Sequence, residues 1–254
     1  MMPRQYSLSP PEKARIARVH LPHSGHGPIQ RGQPLWLFDL DNTLHDTSHR
    51  IFAEINLGMT AAVMESLGVD QETANTLRSK YWRMYGATMI GMEKHHGVSP
   101  REFLHRSHDF DVRPLLRSIK GLPQKLKRLP GRKVLVTNAP LHYARAVLKH
   151  LGILRCFESI WAIEHMRIHG TFKPKPSAAL MRYILSHEGV HPSKAVLIED
   201  TLSNLKGARA AGLKTIHVYH PGTPFSGGKR GRPSFVDLRV NCVSDLLLQR
   251  RPLR

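Results

Sequence analysis

Five short apolar runs, each breaking off on polar side chains and each followed by a stretch of helical rhythm or a turn, limit this chain to an α/β architecture. The first begins at Leu35, and the others are read as strands over Lys133 to Thr137, Ser159 to Ile163, Ala195 to Ile198 and Thr215 to Tyr219. Between them, Tyr143 to Leu151, Ala178 to His187 and Asn204 to Ala211 space their apolar residues as helices do. Strands alternating with helices predict a parallel sheet covered on both faces, and such sheets bind ligands at the carboxyl ends of their strands.

The first run ends in Asp39-Leu40-Asp41-Asn42-Thr43, two carboxylates one residue apart at a strand's end. Carboxylates this close repel, so both stay ionised only if a cation shares them, or else one keeps a proton; the pair implies a hard metal such as Mg²⁺ or acid/base chemistry. A strand running into an Asp-Asn turn is the competing explanation. It is set aside because three downstream segments add matching chemistry. Thr137 and Asn138 offer a hydroxyl and an amide to a phosphate oxygen where a helix opens near Leu141. Lys173-Pro174-Lys175-Pro176 holds ammonium groups on stiffened backbone. Glu199-Asp200 closes another strand, and Asp200 is expected to complete an oxygen shell for Mg²⁺ with Asp39 and the Asp41 backbone carbonyl. Glu199 and Asn204 would support that shell.

Taken in order, Asp39-x-Asp41-x-Thr43, Thr137, Lys173-Pro174 and Glu199-Asp200 resemble the four motifs of the haloacid dehalogenase (HAD) superfamily over Leu35 to Tyr219. The wording of Tyr81 to Thr88 and of His95 to Val98, with Glu199-Asp200 and Asn204, is similar to the pyrimidine 5′-nucleotidase branch. The resemblance implies a HAD-like Rossmannoid parallel sheet with an inserted helical cap of C1 type. It also implies a set of roles: Asp39 as the nucleophile that forms an aspartyl-phosphate, Asp41 as acid and then base, Thr137 and Asn138 on the phosphate, Lys173 balancing charge, and Asp200 on Mg²⁺. Dehalogenases of the superfamily lack the second aspartate, so Asp41 points to phosphate esters. Glu199 and Asn204 depart from the commonest fourth motif, which has Gly-Asp and a later Asp. The expected activity is Mg²⁺-dependent hydrolysis of a small phosphomonoester, a pyrimidine nucleoside 5′-monophosphate first, with phosphoglycolate or a sugar phosphate as the alternative.

The span from 46 to 120 is too long for a simple crossover and has helical periodicity over Ile51 to Leu67, Gln71 to Tyr85 and Pro100 to His108. The expected organisation is a flexible basic tail over 1–34, a core domain from 35–45 and 121–254 with a basic loop at 222–234, and a helical cap over 46–120. Tyr81, Trp82, Tyr85, Met89, His95 and His96 are candidates to face a base or sugar, with packing inside the cap preferred for each.

Lys and Arg total 38 against 19 Asp and Glu, a net charge of +19 whose field draws anions without choosing among them. Gly227 to Pro233 resembles the Gly-Arg-Pro core of an AT-hook, which makes a nucleic-acid-binding protein the reading from a different class; a basic loop between strands is preferred. Two cysteines, Cys156 and Cys242, form neither a disulfide framework nor a thiolate zinc site. With no apolar core of a secretory signal in the first 34 residues and no membrane-length apolar stretch, a cytoplasmic location is expected.

Overall fold

The computed structural model describes residues 33–47, 50–219 and 231–247. Most of the expected tail, and the basic loop from 222 to 230, lie outside the described residues. Strand β1 (Leu35–Phe38) is followed by α1 (Ile51–Leu67), α2 (Gln71–Tyr85), α3 (Thr88–His96) and α4 (Pro100–Ser107). The chain then alternates through α5 (Leu122–Arg128), β2 (Arg132–Val136), α6 (Leu141–His150), β3 (Ser159–Trp161), a hairpin of β4 (Arg167–Ile168) and β5 (Thr171–Phe172), α7 (Ala178–Glu188), β6 (Ala195–Glu199), α8 (Leu202–Ala210), β7 (Lys214–Val218) and β8 (Leu238–Val240).

Six strands form one parallel sheet in the order β3-β2-β1-β6-β7-β8. The period of two in the strand sequences decides which residues cover which face. Phe38, Leu135, Val196 and Ile198 turn to the face under α5 and α6, where they meet Leu122, Leu126, Ala144, Val147 and Leu148. Leu35, Leu37, Val134, Val136, Ala195 and Leu197 turn to the other face, against Leu180, Ile184 and Leu185 of α7 and Leu205 and Ala208 of α8. Both faces being buried, the strands are apolar nearly throughout, as parallel strands under helices must be.

β1 lies between β2 and β6, with Phe38 level with Leu135 on one side and Ile198 on the other. The chain leaves β1 for β2 on one side and returns through β6 on the other, so a crevice opens where the order reverses. The polar residues that end these three strands therefore face a common space.

Helices α1 to α4 pack together around Ala62, Val63, Ala74, Tyr81, Met89, Met92 and Phe103, and this cluster extends to Ile163 and Phe172 beside the sheet. Asp70 caps α2 by accepting from the Thr73 N–H at 2.8 Å. The base of α1 belongs to the sheet's own core through Ile51 and Ile55. Arg167 of the hairpin stacks on Phe172 at 3.7 Å and pairs with Glu93 of α3. The helical group is thus held to the sheet at both ends. Among the described residues, no helix is long and apolar enough to cross a membrane.

The strands and helices read from periodicity recur to within a few residues. Five elements had no reading of their own: α3, α5, β8 and the hairpin strands β4 and β5. Glycine in mid-helix argues against a helix at 88–96, yet a Cβ on Gly91 would stand 2.1 Å from the Tyr81 ring, so packing of α2 on α3 demands glycine there. The sheet edge β8 has three residues, too few for a periodicity.

Gly207 of α8 has an equivalent role on the sheet's other face: a Cβ there would lie 1.9 Å from the Pro176 carbonyl oxygen. That contact brings the segment 173–176 against α8. Because the neighbour is backbone, Gly207→Ala forces one element to move, and we expect a loss of about 1–3 kcal/mol, read as a lower Tm. An unchanged Tm would show that the segment yields freely.

Candidate active site

Asp39 leaves β1 with its N–H still donating to the Ile198 carbonyl at 2.9 Å, so strand pairing carries it to the edge of the crevice. Its carboxylate is buried, and the Lys175 Nζ donates to Oδ1 at 2.6 Å. The same ammonium donates to Glu199 Oε2 at 2.7 Å. Lys175 is 2% exposed, and Glu199 is completely enclosed. Burial disfavours the charged ammonium, but the two carboxylates overcome it and hold the Lys175 pKa above its ordinary value.

The lysine in the crevice is Lys175, whereas the sequence reading expected Lys173 there to balance charge. Lys173 is exposed, and its N–H donates to the Met166 carbonyl, which fixes it to the hairpin edge. The crevice receives Lys175 because Asn138 grips that residue's backbone. The Asn138 Nδ2 donates to the Lys175 carbonyl, and the Lys175 N–H donates to Asn138 Oδ1, each at 3.0 Å. The Asn138 amide is thereby engaged in placing the lysine, not left whole for a phosphate as the sequence suggested. At the helix that follows, the Leu141 N–H donates to the Glu164 carboxylate, so the first amide of α6 is also occupied. Thr137 keeps its capacity: its Oγ1 accepts from the Ala139 N–H at 3.0 Å, and the hydroxyl proton is still available to a ligand.

Glu199 is fully used, with Oε2 on Lys175 and Oε1 accepting from the Thr201 N–H at 3.1 Å. Beside it, Asp200 is buried and accepts from the Thr201 hydroxyl at 3.2 Å. Asp39, Glu199 and Asp200 each bring one carboxylate oxygen within 4.8 Å of the others. Desolvation first, and then mutual repulsion, raise the pKa of Asp39 well above the carboxylate range and lift Asp200 to about 6.

Asp41 sits two residues beyond, half-buried, and the Tyr143 hydroxyl of α6 donates to its Oδ1 at 2.8 Å. His45 Nε2 lies 3.2 Å from the same oxygen without the alignment of a hydrogen bond. Burial, reinforced by Asp41, keeps the Tyr143 phenol protonated far into the alkaline range. Asp39, Asp41, Thr137, Asn138, Lys175 and Asp200 all border one cavity of about 460 Å³. Its opposite wall is apolar and comes from the helical group: Phe52, Ile55, Met59, Trp82, Met89 and Phe103, with Arg83, Ser107 and His108 as polar points. Desolvation first, and then the neighbouring His142, lower the pKa of His108 to about 4. Tyr81, Tyr85, His95 and His96 do not border the cavity; their hydroxyls and rings pair with each other, Tyr81 with His96 and Tyr85 with His95, each at 2.7 Å.

The haloacid dehalogenase-like hydrolase family profile matches residues 36–218, the span that carries all of these groups. The chain belongs to this family. Among curated relatives of this HAD-like hydrolase, the fructose-1-phosphate phosphatase YqaB of Escherichia coli (strain K12) is 28% identical over 191 residues, covering 72% of this chain and 94% of the relative. A 5′-nucleotidase of Pseudomonas aeruginosa is 27% identical over 195 residues, covering 73% and 82%. Among solved structures, CbbY from Rhodobacter sphaeroides in complex with phosphate superposes with a TM-score of 0.58 at 20% identity, covering 84% of this chain and 96% of that one, a likeness of fold.

HAD phosphatases generally use Mg²⁺, and the donor set here fits a hard divalent cation. When all three are ionised, the buried carboxylates oppose one ammonium, an imbalance of two negative charges within a few ångströms. Asp39 and Asp200 retain oxygens for a cation, whereas Glu199 has both of its oxygens committed. Protons compete for the same oxygens, and with the Asp200 pKa raised to about 6, its carboxylate is ionised above that pH and increasingly protonated below it. The gain in Tm on adding Mg²⁺ should therefore be larger near about pH 7.5 than near about pH 5. Equal gains at both pH values would place the cation elsewhere.

Sequence reasoning missed three contributors: Lys175, Tyr143 and His45. Spacing does not separate Lys175 from Lys173, and Asn138 settles the choice only once the fold sets its amide against the Lys175 peptide groups. Tyr143 carried no signal, since its approach to Asp41 depends on how α6 docks against β1, and His45 reaches Asp41 only through the turn that follows β1.

Proposed function

We propose that this HAD-like hydrolase is a Mg²⁺-dependent phosphomonoesterase acting through an aspartyl-phosphate on Asp39, with a pyrimidine nucleoside 5′-monophosphate as its preferred substrate. The observation that carries the chemistry is the buried Lys175 bridging Asp39 and Glu199 with Asp200 alongside, because phosphoryl transfer asks chiefly for positioning and charge neutralisation. Lys175 donates to Asp39 Oδ1, whose second lone pair would be left for the cation, and Oδ2, which carries no hydrogen bond among the described residues, attacks phosphorus. As the Asp39 oxygen–phosphorus bond forms, the ester oxygen leaves with its electron pair and takes a proton from Asp41. Water then attacks the same phosphorus, Asp41 accepts its proton, and the phosphorus–Asp39 bond breaks to release phosphate. Thr137 donates its hydroxyl to a phosphoryl oxygen. Asp39, Asp200 and the Asp41 carbonyl would hold Mg²⁺, which when bound offsets negative charge on the phosphoryl group. Phosphatases among the curated relatives support this reaction.

Helices α1 to α4 serve in this reading as a cap domain over the core, excluding water and choosing the leaving group. The apolar wall of Phe52, Met59, Trp82 and Met89 suits the flat face of a base better than the hydroxyls of a sugar, and the relative named as a 5′-nucleotidase agrees. The fructose-1-phosphate phosphatase relative favours a sugar phosphate instead. Release of phosphate across nucleoside monophosphates, sugar phosphates and phosphoglycolate separates them: pyrimidine nucleotides should lead in kcat/KM, and equal or better turnover of sugar phosphates would end the nucleotidase proposal.

The two lysines give a second test. Lys173→Ala should leave kcat within about two-fold, while Lys175→Met should lower it on the order of 10²–10³-fold and lower Tm, since two buried carboxylates lose their partner. The reverse ranking would restore the role to Lys173.

A further inference from the structure

The acid/base role assigned to Asp41 asks for more than proximity, because a carboxylate free to rotate presents either oxygen in any direction. In this structure it is fixed through one oxygen. The Tyr143 hydroxyl donates to Oδ1 at 2.8 Å, and His45 Nε2 presses on that same oxygen from within its own turn at 3.2 Å. Tyr143 is itself immobile: it is 3% exposed, and its ring meets the rings of His108 and Phe110 at centroid distances of 5.5 and 6.2 Å. It stands in the first turn of α6, whose Ala144, Val147 and Leu148 are locked against the sheet. The hydroxyl is thus carried by a helix of the core, with its ring packed against His108 and Phe110 of the segment after α4.

We propose that Tyr143 is a positioning residue for proton transfer: by occupying Asp41 Oδ1 from a rigid helix, it leaves Oδ2 as the oxygen that meets the leaving group. This rests on the acid/base reading of Asp41 given above. A buried phenol needs a partner in any case, so a purely structural role for the contact is the alternative, and it predicts a change in stability without a change in how the enzyme ranks leaving groups. Orientation predicts that ranking to change, because only a poor leaving group depends on the proton.

The experiment compares kcat/KM, which reports phosphoryl transfer to the enzyme, for p-nitrophenyl phosphate and for an alkyl ester, uridine 5′-monophosphate or the sugar phosphate that turns over best. Tyr143→Phe should lower kcat/KM for the alkyl ester about ten- to hundred-fold and for the nitrophenyl ester no more than about three-fold. Asp41→Asn should shift the same ratio further. Both substrates are assayed on one sample, so the ratio does not depend on the folded fraction; Tyr143→Leu, which also lacks the hydroxyl, replaces the Phe variant should that one not fold. An unshifted ratio in Tyr143→Phe beside a shifted one in Asp41→Asn would overturn the inference. An unshifted ratio in Asp41→Asn would instead overturn the acid/base reading itself.

Discussion

A lysine ammonium enclosed between two carboxylates is the contact on which the remaining architecture depends. Burying Lys175, Asp39 and Glu199 together is expensive in desolvation, and such a group is tolerated only where geometry and hydrogen bonding are close to complete. The surrounding structure supplies that completeness. Strand pairing carries Asp39 and Glu199 to one edge, Asn138 clamps the lysine's peptide groups, and the missing side chain of Gly207 lets the lysine's loop lie on α8. Asp200 adds a carboxylate that the lysine does not touch, and with all three acids ionised the cluster keeps an excess of negative charge that suits a cation. With a divalent cation to offset that excess, such a site would be preorganised for a phosphoryl group, which brings more negative charge.

The same arrangement explains why β1 has its neighbours. Only a strand flanked by β2 and β6 can bring the residues after Phe38, Val136 and Ile198 to a common level, and the reversal of strand order beside β1 opens the crevice they face. The helical group inserted after β1 then lines that crevice with a largely apolar wall, so one half of the cavity is highly charged and the other is mostly apolar with Arg83, Ser107 and His108 as polar points. Under the proposed reaction this division separates two tasks: chemistry at the strand ends of the core, and discrimination among leaving groups by side chains on α1 to α4.

Much of this was legible in the sequence, and the exceptions have physical causes. Apolar runs ending on Asp39, Thr137 and Asp200 revealed both the parallel sheet and the clustering of their polar ends, because in a buried parallel strand pattern and position are the same information. Helix α3 was hidden by Gly91, a residue chosen by the Tyr81 ring and not by helix propensity. The choice between Lys173 and Lys175 was invisible to spacing, since both precede proline; only the Asn138 clamp, a tertiary contact spanning the sheet edge, decides it. Tyr143 belongs to the same category, being an ordinary core tyrosine by pattern and a partner of Asp41 by docking.

The central claim is that phosphorus is transferred to the side chain of Asp39. Mixing the enzyme with substrate and Mg²⁺, quenching in acid within the first turnover and mapping the phosphoryl group by mass spectrometry tests it directly. The adduct should lie on the peptide containing Asp39 and disappear in Asp39→Asn, with the Asn variant still folded. A phosphoryl group on any other residue, or turnover persisting in Asp39→Asn, would contradict the account.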